Sequence, residues 1–290
     1  MSPSELWSPF VEFGFLRRAL VATWALALGS APIGVMLVLR RMSLVGDAMS
    51  HAVLPGAAAG FLLAGLSLPA MSLGGFVAAL LVALAAGFVT RHTPQREDAN
   101  FAAFYLIALA LGVLLVSWRG TQVDLMHLLF GSVLAVDDAA LLQIAVVSSL
   151  TLWTLALIWR PLVLESCDPG FLRSVRGPGA LVHALLLVLL VANLVSAFQA
   201  LGTLMAVGLM MLPAAAARFW VADLEHLAAV AVGTGMVAGA AGLLLSFHAE
   251  LPSGPCIVLC CGAAYLLSVL FGAREGVVTR RLRAHRHRVR

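Results

Sequence analysis

Long apolar runs, separated by short polar interruptions, make up most of this chain. A membrane-crossing helix needs about 20 consecutive apolar residues, because the hydrocarbon core is about 30 Å thick and an α-helix rises about 1.5 Å per residue. Residues 19–39 carry no charge and predict one span. Residues 48–90 carry only His51 and are long enough for two, with a break near Pro69. Residues 99–118 and 139–159 predict one each. Residues 177–217 carry only His183 and again have room for two, with a break near Gln199–Gly202. Residues 227–247 and 251–273 complete a set of nine. Residues 125–136 are too short to cross and are bounded by Asp124, Asp137 and Asp138, so they read as an interfacial or re-entrant helix.

Composition strengthens that reading. Hydrophobic residues are 62% of the 290 and charged residues 11%, with mean hydropathy +1.02; a soluble domain averages about 45–50% apolar and about 25% charged. The chain is predicted to be almost entirely membrane domain, because no polar stretch is long enough for a separate soluble one. A net charge of +4 and pI near 9.3 would suit nucleic acid. The basic residues, however, sit at span ends and in the tail, so no nucleic-acid partner is expected. All eighteen are Arg. With the tail in the cytoplasm, fifteen arginines fall inside and three (Arg17, Arg18 and Arg119) outside, as the positive-inside rule requires. Nine spans then place the N-terminus outside, which Arg17–Arg18 fits poorly; one re-entrant span would make the count eight. The N-terminal "GSA" resembles a signal-peptide end, but the apolar run continues through Pro32 to Arg40–Arg41, the length of a span followed by a positive stop. Cys256, Cys260 and Cys261 lie in an apolar run and read as small packing residues.

One apolar segment carries chemistry. In "LVGDAMSHAVLPG", Asp47 and His51 lie four apart, on one face of a helix. An Asp near the centre of a spanning helix costs about 2.5–3.5 kcal/mol on insertion scales, and such residues usually face a cavity and act in transport. Carboxylate oxygen plus imidazole nitrogen suits Mn²⁺, Fe²⁺ or Zn²⁺. Pro55 has no N–H, so the His51 carbonyl loses its helical donor. The pair alone reads equally as a metal or proton site and as a satisfied polar pair near a helix start, six residues past Arg41.

"RRMSLVGDAMSHAVLPGAAAGFLL" resembles the signature of the zinc/manganese-type permeases of ATP-binding-cassette (ABC) importers. The likeness continues through "VDLMHLLFGSVLAV", "LGTLMAVGLMMLPAAAARF" and "SFHAELPSGPCIVLCC", in order along the chain. The resemblance implies an all-α polytopic bundle of eight to nine transmembrane helices, like a type II ABC importer permease. It also implies a metal role for Asp47 and His51, with no permanent cofactor. The implied organisation is an N-terminal segment 1–18, one permease domain 19–273 and a basic cytoplasmic tail 274–290. The implied place is the bacterial cytoplasmic (inner) membrane.

The resemblance also assigns the loop 160–179, "RPLVLESCDPGFLRSVRGPG", to an ATPase-coupling helix. Asp168 would cap it, Pro169 would occupy its first turn, and Gly177 and Gly179 would end it. Glu165, Gly170 and Arg173 complete the candidate coupling set. The sequence has no "GxxxxGK[ST]" motif, so ATP hydrolysis belongs to a separate ABC ATPase subunit and the chain itself is not expected to be an enzyme. The remaining implied partners are an extracytoplasmic metal-binding protein, a second copy of the chain and membrane lipid. Asp124 and His127 are weaker metal candidates at the outer mouth, or else a solvated interfacial pair. Pro213 frees the Leu209 carbonyl and, with Pro55, marks a candidate helix break or gate. His183 and His248 read as structural, and the tail, with His285 and His287, as a lipid-headgroup contact. The alternatives are a secondary, ion-coupled metal carrier acting without an ATPase, and an intramembrane hydrolase, for which no "HExxH" is present.

Overall fold

A computed structural model describes residues 3–65, 67–118, 136–175 and 177–279. The described residues are helical, with no strand among them. In chain order the helices are α1 (Pro3–Glu12), α2 (Gly14–Leu39), α3 (Val45–Ala64), α4 (Leu68–His92), α5 (Glu97–Trp118), α6 (Asp138–Cys167), α7 (Pro169–Ser174), α8 (Gly179–Leu201), α9 (Thr203–Ala217), α10 (Leu224–Ala249) and α11 (Ser253–Phe271).

Each apolar run read from the sequence is a helix, and both double-length runs break. The first break is at Gly65, which has φ +65° and donates its N–H to the Phe61 carbonyl at 2.8 Å. The second is at Gly202, with φ +85°, which closes α8 by donating to Phe198 O at 3.1 Å. At both glycines the positive φ goes with an extended ψ, of −148° at Gly65 and 161° at Gly202. That backbone conformation is open essentially to glycine, which turns the chain out of the helix without a Cβ penalty. Pro69 then falls in the first turn of α4, where its missing N–H costs nothing.

Among the described residues, seven helices are long and apolar enough to cross a membrane: α2, α4, α5, α6, α8, α10 and α11. The other two runs fall short for physical reasons. The α3 helix has 20 residues but carries Asp47 and His51. The α9 helix has only 15 residues, about 22 Å at the standard rise.

Helices α2 and α8 form the centre, with 72% of the apolar window of each buried, against 22% for α5, α6 and α11. Around them, α6 packs on α2 and α8, while α9, α10 and α11 pack on one another, with α9 and α10 also on α2. Helices α3, α4 and α5 form a third group, joined to the centre chiefly through α4 and α8. Large apolar side chains such as Trp153, Leu157 and Leu259 point outward, as they should on a surface that meets lipid. Hydroxyls inside the bundle are satisfied locally: Thr23 and Ser30 donate to the carbonyls four residues back, each at 2.7 Å. The cysteines form no disulfide, and Cys256 and Cys261 are buried in α11.

Two contacts fix α3. Gly56 and Gly74 meet backbone to backbone across the α3–α4 interface, so a Cβ on either would strike the other's carbonyl oxygen. At the start of α3, the chain leaves α2 through a six-residue closure. Arg41 is left-handed at φ +60°, Arg41 N–H donates to Val38 O at 3.2 Å, and Met42 N–H donates to Leu37 O at 2.9 Å. This is the Schellman pattern, with arginine where glycine is usual.

Candidate metal site and the helix ends around it

Asp47 lies in the first turn of α3 and His51 one turn on. The opposite face of the helix, with Val45, Met49 and Ala52, is buried, which leaves both polar side chains outward. Asp47 is 67% exposed and His51 42%, with His51 Nε2 3.9 Å from Asp47 Oδ1. The Tyr105 ring of α5 lies 6.0 Å from the imidazole, centroid to centroid. Helix α3 runs unbroken through Pro55, and α5 approaches there through Gly112: a Cβ on Gly112 would lie 3.1 Å from the Pro55 nitrogen. Helix α9 is likewise continuous through Pro213. Among the described residues, no group of three or more His, Cys, Asp and Glu side chains is arranged to hold a metal ion. One chain therefore offers a carboxylate and an imidazole, both facing out. Asp124 and His127 lie outside the described residues.

The predicted 160–179 loop is shorter than the sequence indicates. Residues 160–167 continue α6 through Pro161, because a proline within a long helix costs one backbone bond that neighbouring packing can offset. Gly179 opens α8 rather than ending the short helix. The short helix between them starts as expected. Asp168 Oδ1 accepts from Phe171 N–H at 2.8 Å, capping α7, whose first residue is Pro169. Gly177 N–H donates to Leu172 O at 2.8 Å and closes the turn. Leu172 is buried, while Phe171 is 51% exposed and Asp168 and Gly170 are exposed. Arg173 belongs to α7. Glu165, grouped with these residues from the sequence, is placed differently. Its side chain is 7% exposed and accepts from Arg91 Nη2 at 2.7 Å, turned into the bundle.

Glu165 belongs to a charged cluster that sequence reasoning did not assemble. The same Arg91 nitrogen donates to Gly179 O at 2.9 Å. Arg40, the residue that ends α2, donates from Nε to Ser166 Oγ at 3.0 Å and from Nη1 to His183 Nδ1 at 2.8 Å. Arginine can only donate, so Nδ1 accepts and the His183 proton lies on Nε2. That nitrogen is 3.1 Å from Glu97 Oε1, at ion-pair distance but not aligned as a hydrogen bond. Burial pushes the Arg40 guanidinium below its ordinary pKa, while the charges of Glu97 and Glu165 pull it back up and Arg91 adds to the lowering.

Fold and site together define a multi-pass helical membrane protein with an outward-facing carboxylate–imidazole pair on α3 and a short capped helix beyond its longest span. The chain belongs to the ABC 3 transport family, whose model matches residues 12–272. It is 32% identical over 277 residues to the manganese transport system membrane protein MntC of Halalkalibacterium halodurans, covering 95% of this chain and 94% of that one. It is 30% identical over 279 residues to the chelated iron transport system membrane protein YfeD of Yersinia pestis, covering 96% and 92%. Among solved structures it is similar to PsaBC from Streptococcus pneumoniae in complex with Fab, with a TM-score of 0.81, 29% identity and coverage of 97% and 100%. The chain is thus the permease component of an ABC transporter, a transport subunit rather than an enzyme.

Proposed function

We propose that this protein is the membrane subunit of an ATP-driven importer of a divalent transition metal, with Mn²⁺ first and Fe²⁺ or Zn²⁺ next. Asp47 and His51 are its ion-binding side chains. The observation that carries this reading is their exposure on a helix whose other face is fully packed. A carboxylate turned toward lipid is costly, so this face must meet water, an ion or another protein. Two copies of the chain related by a two-fold axis would bring two carboxylates and two imidazoles together, a hard-to-borderline donor set without thiolate. One pathway at the axis therefore fits better than one inside each copy. The membrane relatives named for manganese and chelated iron support the substrate class.

In this reading all nine helices from α2 to α11, apart from the short α7, act as the membrane bundle. The end holding Arg40, Arg91 and α7 faces the cytoplasm of the bacterial cell, and the short α9 is the candidate re-entrant element. Helix α7 docks on a separate ABC ATPase, and an extracytoplasmic binding protein delivers the ion at the opposite end. Pro55 lies one turn beyond His51 and leaves the His51 carbonyl free to face the ion as the helices move.

The test is ⁵⁴Mn uptake by cells making the permease with its ATPase and binding protein, comparing wild type with Asp47→Ala and His51→Ala. Both variants should assemble and lose uptake. Normal uptake in both would make the pair structural and refute the assignment.

A further inference from the structure

The two stems of the α7 loop are each held twice, and by arginines that come from elsewhere. Arg91, in the last turn of α4, bonds Glu165 before the loop and the Gly179 carbonyl after it. Arg40, between α2 and α3, bonds Ser166 before the loop and His183 after it. Each guanidinium thus bridges α6 to α8 around α7. Arginine suits the task because its planar fork reaches two acceptors in fixed directions; a lysine holds a compact point charge without that geometry.

The arginines themselves stand on the elements that carry the ion pair. Arg40 lies seven residues before Asp47, through the tight Arg41–Met42 turn. Arg91 lies on α4, which contacts α3 backbone to backbone at Gly74 and Gly56. Around both arginines lies a solvent-open cavity of about 770 Å³ lined by Arg40, Arg91, Glu97, Glu165 and His183, so the cluster has room to shift without repacking the core.

We propose that Arg40 and Arg91 are positioning residues that transmit movement of α7 to α2, α3 and α4, and so couple the ATPase stroke to the Asp47–His51 site. This rests on the reading of α7 as the ATPase-docking helix. Acting in parallel on both stems, the two arginines make the α6–α7–α8 corner move as one piece with the helices that flank the ion.

The experiment uses the complete transporter, with its ATPase and binding protein, in proteoliposomes, and measures Mn²⁺ transported and ATP hydrolysed in the same sample. The variants are Arg40→Gln, Arg91→Gln, Arg40→Lys, Arg91→Lys and Glu165→Gln. Mn²⁺ carried per ATP should fall by about tenfold or more in the Gln variants while the assembled complex still hydrolyses ATP. The Lys variants should fall between, and Glu165→Gln combined with Arg91→Gln should be no worse than either alone. An unchanged ratio overturns the proposal. So does a parallel loss of assembly and of both activities in the Gln and Lys variants alike, which would mark the clamp as structural only. Phe171→Asp, on the exposed side of α7, separates the two levels. If it leaves ATPase association intact, the docking reading fails and the clamp falls with it. If it abolishes association while the arginine variants keep a wild-type ratio, only the clamp is refuted.

Discussion

Gly56→Ala is the sharpest test of how α3 is held. A Cβ at Gly56 would lie 2.5 Å from the Gly74 carbonyl carbon and 2.6 Å from the Ala78 Cβ, and closer still to the Gly74 oxygen. Carbon atoms prefer separations of about 3.5–4.0 Å, so the interface must open by on the order of 1 Å. The obstacle is backbone, which cannot rotate away as a side chain can. A radial gap of about 0.5–1 Å forfeits a quarter to a half of each contact's attraction, and overpacking of a fitted interface typically costs about 1–3 kcal/mol. For a chain of this size that corresponds to roughly 2–4 °C of melting temperature per kcal/mol. Thermal unfolding of the purified protein in detergent, followed at one fixed scan rate because such unfolding is commonly irreversible, should therefore show Gly56→Ala several degrees below wild type. Gly262→Ala, where an added Cβ meets nothing within 4 Å, is the control. It should be neutral or gain up to about 1 kcal/mol from helix propensity. A Gly56→Ala melting temperature at or above wild type, with Gly262→Ala behaving as stated, would refute the view that close backbone contact locks α3 to α4.

Two further substitutions follow from local geometry. Arg41→Gly should raise the melting temperature, by an amount equivalent to about 1 kcal/mol, because arginine at φ +60° pays the left-handed penalty that glycine avoids; the same detergent melt checks it. Asp168→Ala should remove the cap that Phe171 N–H uses, at a cost of about 1 kcal/mol to the start of α7. Because α7 is only six residues long, its frayed population should rise and co-purification of the ATPase should weaken while the permease melt barely moves.

What the sequence revealed and what it hid have one physical cause. A helix in lipid must satisfy its backbone internally and present apolar side chains, so runs such as 19–39 and 227–247 declare themselves without any tertiary information. Breaks declare themselves too, because only a few residues end a helix cheaply: Gly202 and the Pro69 turn were readable for that reason, as was the Asp168–Pro169 start of α7. Asp47 and His51 stood out because ionisable side chains are rare in such a helix, and their four-residue spacing placed them on one face. Which way that face points is a property of the packing of α4 and α5 on α3, and spacing is silent on it.

The arginine clamp was hidden more deeply. Arg40 and Arg91 sit at the ends of apolar runs, where the positive-inside rule already explains any arginine, so they looked like Arg41 and Arg96. Their partners lie far off in the chain, with Ser166 126 residues and His183 143 residues from Arg40. The clue was on the other side of the pair. Glu165 is an acid at the end of an apolar helix, where charge topology gives no reason for one, and a carboxylate so placed needs a cation near it. Assigning it to the ATPase supplied that partner from outside. The fold supplies it from within, and in doing so ties the α7 loop to α4, and through α4 to the helix that carries Asp47 and His51.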